Sequence, residues 1–227
     1  MARKKTGTDA DALFEEALQA FDALMPLTEN KYEILQQQGR LLLQWAAQTE
    51  GEEEHRLVAA ANEKLEACLQ LAPKKSSMLN NWGIDLMKLF KSRTGAAADP
   101  YFKLSDGKFR QSIEADPSGY LGWKNCGNLY VNAALVSAGA ERIRLFDAAA
   151  DMFRKSEDRS AGSAAYQLAQ LSALRSDEES CKQWLYFAVE KGKFLAKHAL
   201  TDDWLDNVRG RAWFVQFYED AGLPPAA

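Results

Sequence analysis

The chain has 227 residues, 47% hydrophobic and 26% charged, with a formal net charge of −4. That length suits one sizeable domain or a solenoid of several units. The mild acidity argues against a nucleic-acid partner, which would call for a basic face. No apolar run reaches the roughly 18 residues that a membrane span needs. The opening Met1-Ala-Arg-Lys-Lys5 has no apolar stretch behind it, and Ala2 excludes the myristoylation pattern. An intracellular, soluble protein is therefore expected, cytoplasmic or inside an organelle where a transit peptide has been removed.

In chain order, residues 1–8 read as a disordered basic arm. Asp9 or Asp11 then caps a helix over 9–25 that Pro26 ends; this helix is expected to cover the N-terminal end of the helices after it. A first helix pair covers 30–73, with helices at 30–48 and 54–71 and Leu35, Leu42 and Trp45 at helical spacing. Glu52, Glu53 and Glu54 open its second helix, where carboxylates suit the positive end of the dipole; they read as a solvated cap rather than a metal site. A second pair covers 76–117 (76–91 and 100–115), and a third covers 118–157 (118–137 and 140–157). A shorter fourth pair covers 161–192 (161–175 and 177–191), with Gly192 as its stop. Residues 193–222 are predicted to form two or three short capping helices, with Asp202 and Asp203 at a helix start, and 223–227 a tail. The span 9–222 is thus expected to be a single domain.

The pairs repeat. Gly39, Gly83 and Gly127 are spaced by 44 residues, as are Gly51, Gly95 and Gly139. The same spacing relates small Ala61, Ser105 and Ala149, large Leu65, Phe109 and Phe153, and small Cys68, Ser112 and Ser156. A glycine behind a bulky residue lets two helices approach closely, and small Ala149 and large Phe153 are expected to pack on the returning helix. The glycines at 51, 95 and 139 are expected to end each first helix as left-handed C-caps.

The stretch Trp123-x2-Cys126-Gly127-x2-Tyr130, followed by Ala149-x3-Phe153, resembles the tetratricopeptide signature W-x2-L-G-x2-Y…A-x3-F. The standard unit is 34 residues. Here the first three units each carry ten extra residues between their helices, whereas Ala169 and Cys181 keep the ordinary spacing in the fourth. The resemblance implies an all-α, right-handed superhelical solenoid of antiparallel helix pairs, with helical caps at both ends. It also implies a non-enzymatic adaptor that binds an extended peptide or helix of a protein partner along its concave face.

Family positions flanking the glycine carry over to Gln36, Gln37, Arg40 and Gln44; to Asn80, Asn81 and Lys88; to Lys124, Asn125, Asn128 and Asn132; and to Tyr166, Gln167 and Gln170. The carboxamides can pair with a peptide C=O and N–H together, and Arg40, Lys88 and Lys124 favour acidic ligands. Lys124 with Asn128 resembles half of the carboxylate clamp of chaperone-tail-binding members, although Gln167 replaces the next Asn. Residues 109–156 also resemble the plant-type mitochondrial import receptor, whose C-terminal membrane anchor is not expected here.

No catalytic residue, metal site or cofactor is expected. His55 and His198 read as surface residues, and Cys68, Cys126 and Cys181 as buried small residues; there is no CxxC, P-loop or HExxH. The alternative is a structural subunit of a larger complex, with homo-oligomers open to it.

Overall fold

The structure, a computed structural model, describes residues 8–191 and 196–222. All its elements are helical, with no strand among the described residues. Gly192, the tail 223–227 and all of the arm except Thr8 lie outside the described residues. Two compact units divide at Ala115/Asp116.

The first unit holds α1 (Thr8–Leu24), a 3-10 turn (Met25–Leu27), α2 (Lys31–Ala46), α3 (Glu52–Leu71), α4 (Lys75–Lys91), a second 3-10 turn (Gly95–Ala97) and α5 (Asp99–Ala115). Helices α2 and α3 pack as one pair, and α4 and α5 as another. The Asn30 side chain caps α2 by accepting from Glu33 N–H at 3.4 Å. Helix α1 lies on α2. Phe14 stacks on Trp45 with ring centroids 5.5 Å apart, and the Trp45 indole N–H donates to Asp11 at 2.7 Å. Asp11 is therefore not a helix cap: α1 already begins at Thr8, and its carboxylate serves the tryptophan instead.

The second unit holds α6 (Leu121–Leu135), α7 (Gly139–Arg159), α8 (Ala165–Leu174) and α9 (Glu178–Glu190), again packed as α6–α7 and α8–α9. The described chain then makes 3-10 turns at Ala196–Thr201 and Asp203–Leu205, α10 (Asp206–Arg209) and α11 (Ala212–Asp220). Phe214, Phe217 and Tyr218 bury themselves in one cluster with Ala169, Cys181 and Leu185 of α8 and α9.

One lock recurs in three pairs. A Cβ built on Gly39 would lie 2.4 Å from Leu65 Cγ, one on Gly83 2.6 Å from Phe109 Cε1, and one on Gly127 2.5 Å from Phe153 Cε1. These distances are far below van der Waals contact, so each helix pair closes on a missing side chain. About two turns before its glycine, each first helix is held by a second tie through a backbone carbonyl. Ser112 donates to Ser76 C=O at 2.7 Å, Ser156 to Tyr120 C=O at 3.1 Å, and the Cys68 thiol to Tyr32 C=O at 3.4 Å. Burial pushes the Cys68 thiol up to about 11 and the Cys181 thiol to about 12, so both stay protonated.

Gly51, Gly95 and Gly139 do have positive φ, at 70°, 57° and 56°. They are not C-caps of the first helices, however. Those helices end at Ala46, Lys91 and Leu135, and each glycine stands at the start of the helical segment that comes next. The inserted residues lengthen α3 and α7 to 20 and 21 residues, against 13 for α9.

Burial gives the second unit an alkaline limit. The Tyr186 and Tyr218 phenols are both pushed up to about 12, chiefly by burial, with the Asp220 carboxylate adding to the effect on Tyr186. A phenol whose pKa is raised on folding contributes stability that is intact below its ordinary 10.0 and lost as pH rises through about 12. Urea midpoints are therefore expected to hold up to pH 10.0 and fall between there and about 12, less steeply in Tyr186→Phe.

Candidate functional site

In the first unit, α2 and α4 turn their apolar residues inward and leave a cleft between them. Leu42, Leu43, Trp45 and Ala46 of α2 are buried, while Gln37 and Gln44 are exposed and Arg40 is half-buried. The cleft has a volume of about 310 Å³ and is lined by Arg40, Leu43, Gln44, Asp85, Lys88 and Leu89, with Ala47 and Gln48 at one end. Asp85, its side chain only 9% exposed, accepts from Arg40 Nε at 3.1 Å and from Lys88 Nζ at 2.8 Å. Two cations on one carboxylate leave the cleft one positive charge in excess. Arg40 and Lys88 thus come together through an acid that repeat spacing does not point to. Asn81 is exposed on α4; Asn80 is 5% exposed and belongs to the interior, so it is not on the open face.

In the second unit, α6 carries Lys124, Asn125, Asn128 and Asn132 along one partly buried stripe. Lys124 Nζ lies 5.6 Å from the centroid of the Tyr120 ring. Asn128 Nδ2 donates to Asn125 Oδ1 at 3.4 Å, and Asn132 Nδ2 to the Asn128 carbonyl at 2.7 Å. Each amide group can form more bonds than these.

On α8, Tyr166 and Gln170 do not present an open face. Both donate to Asp202 Oδ2, the amide of Gln170 at 2.5 Å. Burial, and next the carboxylate of Asp202, hold the Tyr166 phenol well above its ordinary range. The segment is pinned further by Asn207 Nδ2 on the Ala173 carbonyl at 2.6 Å and by Arg209 on the Asp202 carbonyl at 2.8 Å. The chain's own C-terminal segment therefore occupies this face. Asp202 also accepts from Trp204 N–H at 3.0 Å, the capping role read from the sequence, but its second oxygen has a use that no local pattern reveals.

Glu54 is the other residue missed. Glu52 and Glu53 flank the α3 N-terminus as expected, but Glu54 is 7% exposed and pairs with Arg93 at 2.9 Å. It is therefore no solvated cap: its neighbour Leu57 faces the core one turn on, and the packing turns Glu54 the same way.

His55 and His198 are exposed and the three cysteines are buried. No group of three or more His, Cys, Asp or Glu that could hold a metal ion occurs among the described residues. Nor is any described helix long and apolar enough to cross a membrane. No protein-family model matches the chain, and no curated protein matches it significantly.

Proposed function

We propose that the helix pairs are tetratricopeptide-like repeats of a right-handed superhelical solenoid and that the protein is a non-enzymatic binding module for an extended segment of a protein partner. The observation that carries this reading is the division of labour on each first helix. Its glycine face is consumed by the recurring lock on Leu65, Phe109 or Phe153, while α2, α4 and α6 also carry amides and cations at exposed or partly buried positions, among them Gln37, Arg40, Gln44, Asn81, Lys88 and Asn128. Amides paired with each other or with their own helix, as on α6, can exchange those bonds for a peptide backbone at little net loss. Occupation of the α8 face by Asp202 weighs against a chaperone-tail clamp, which would need that next repeat open.

The test is a comparative pull-down from source cells, setting wild type against Lys124→Ala/Asn125→Ala/Asn128→Ala, with circular dichroism to confirm that both fold. Partners retained by wild type and lost by the variant are the expected result. An identical partner list would overturn the reading for α6.

A structural subunit of a larger complex is the second reading, favoured by the exposure of Val136 (77%) and Ile143 (59%) beside the α6–α7 connection. Self-association in sedimentation that is abolished by Val136→Ser/Ile143→Ser and untouched by the α6 variant would favour it over the first.

A further inference from the structure

The fourth repeat shows what lies on a first helix when its outer face is occupied. Gln170 comes directly after Ala169, the small residue that stands in the glycine position, and donates to the Asp202 carboxylate together with Tyr166. Arg40 holds the same place in the first repeat, immediately after Gly39. There the helix borders the 310 Å³ cleft between α2 and α4, at the lower end of the roughly 300–1,000 Å³ typical of ligand pockets. In the fourth pair a carboxylate takes up this position; in the first the position carries a guanidinium that holds one carboxylate, Asp85, and borders the cleft.

The geometry of that guanidinium is suited to the same group. Arg40 donates to Asp85 through Nε, which fixes the plane of the guanidinium and leaves its terminal nitrogens Nη1 and Nη2 without a partner among the described residues. Those two nitrogens form the fork that holds a carboxylate through two parallel hydrogen bonds. Lys88 shares Asp85 and supplies the surplus positive charge, while Leu43 and Leu89, 3% and 1% exposed, form an apolar floor. A ligand carboxylate bound here would sit on the side of Arg40 away from Asp85, with an aliphatic neighbour resting on the leucines.

We propose that the α2–α4 cleft is a binding site for an acidic side chain of an extended segment from a partner protein, an Asp or Glu next to an aliphatic residue, gripped by the terminal nitrogens of Arg40. The proposal rests on the reading of the first-helix faces as ligand surfaces, and it names the ligand chemistry of one of them.

The full chain would be panned against a displayed library of random dodecapeptides, and the selected peptides measured by fluorescence anisotropy on wild type, Arg40→Gln and Arg40→Lys. Thermal melts would confirm that the variants fold; Asp85 keeps Lys88 in both. The expected peptides are enriched in Asp or Glu beside Leu, Ile or Val. Arg40→Gln is expected to weaken them roughly ten- to a hundredfold, the effect of losing a charge-assisted hydrogen-bonded pair. Arg40→Lys should fail to restore full affinity, because an ammonium lacks the fork. Changing the peptide's acid to its amide should weaken binding to wild type by a similar factor and change nothing further on Arg40→Gln. Peptides that lack acids, or that bind Arg40→Gln like wild type, would overturn the proposal; if the α6 triple variant abolished their binding, the broader reading would survive. A library that yields no binder at all would overturn both.

Discussion

Replacing Arg93 by methionine is expected to destabilise the first unit by about 3–5 kcal/mol, the range for removing one partner of a buried ion pair. Arg93 and Glu54 have side chains only 12% and 9% exposed and meet at 2.9 Å. The same guanidinium donates to the carbonyls of Ala46 and Thr49, each at 2.7 Å, and of Ala47 at 3.3 Å. These lie at or just past the end of α2, where carbonyls have no partner within the helix. Tyr101 OH donates to Glu54 Oε1 at 2.5 Å and completes the group. One arginine from the α4–α5 connection therefore satisfies the end of α2 and neutralises the start of α3. Without it, the buried Glu54 charge has no cation and keeps only the Tyr101 hydroxyl, and the Ala47 and Thr49 carbonyls lose this donor. Urea unfolding would measure the loss. The double variant Glu54→Gln/Arg93→Met separates the two causes: with the buried charge gone, it should recover about 1–2 kcal/mol of the single variant's loss. A double variant no more stable than Arg93→Met would mean that the carbonyls, and not the ion pair, carry the effect.

This network also marks where sequence reasoning stops. The repeat spacing singles out Gly39, Gly83 and Gly127 and also Leu65, Phe109 and Phe153, because a lock that recurs leaves a periodic trace; that each glycine meets its bulky residue is seen only in the structure. Arg93 leaves none: the residue 44 positions on is Ser137, which donates to its own helix at Ala133. The positive-φ glycines were legible as glycines but not as opening the helical segment that comes next. A left-handed residue can stand at either end of a connection, and what ends α2 is met by a side chain from beyond the next helix pair's first helix, Arg93.

The candidate site was legible to a similar depth. The resemblance puts Arg40, Lys88, Asn81 and Asn128 on the open face, and they are exposed or only partly buried. It also puts Asn80 there, whereas packing of α4 buries it beside Leu79. The acids that define the chemistry, Asp85 and Asp202, pair across 45 and 32 to 36 residues. Local spacing carries no information on such pairs. Asp202 was readable as a cap because that bond is local, two residues away, and its grip on Tyr166 and Gln170 was not.

At Gly127, the effect of one added methyl is expected to change sign with the residue opposite. Phe153→Ala should destabilise the second unit by about 3–5 kcal/mol, since the ring is 1% exposed and its removal opens a cavity between α6 and α7. Gly127→Ala alone meets Phe153 at 2.5 Å. The helix gains about 1 kcal/mol from alanine, but the ring cannot give way without displacing its neighbours, and such overpacking costs about 1–3 kcal/mol. The net result should be destabilising. In the Phe153→Ala background the obstacle is gone, the methyl enters the cavity, and only the helical gain remains. Gly127→Ala should then stabilise by about 1 kcal/mol, a coupling that denaturant midpoints of the four proteins would resolve. Gly139→Ala serves as the control. Nothing lies within 4 Å of its Cβ, so its penalty comes from a φ of +56° alone and should be the same in both backgrounds. If Gly127→Ala behaved like Gly139→Ala, with one penalty regardless of residue 153, close approach to the ring would not be the reason for glycine at this position. The 44-residue spacing of these glycines would then need a cause other than helix packing.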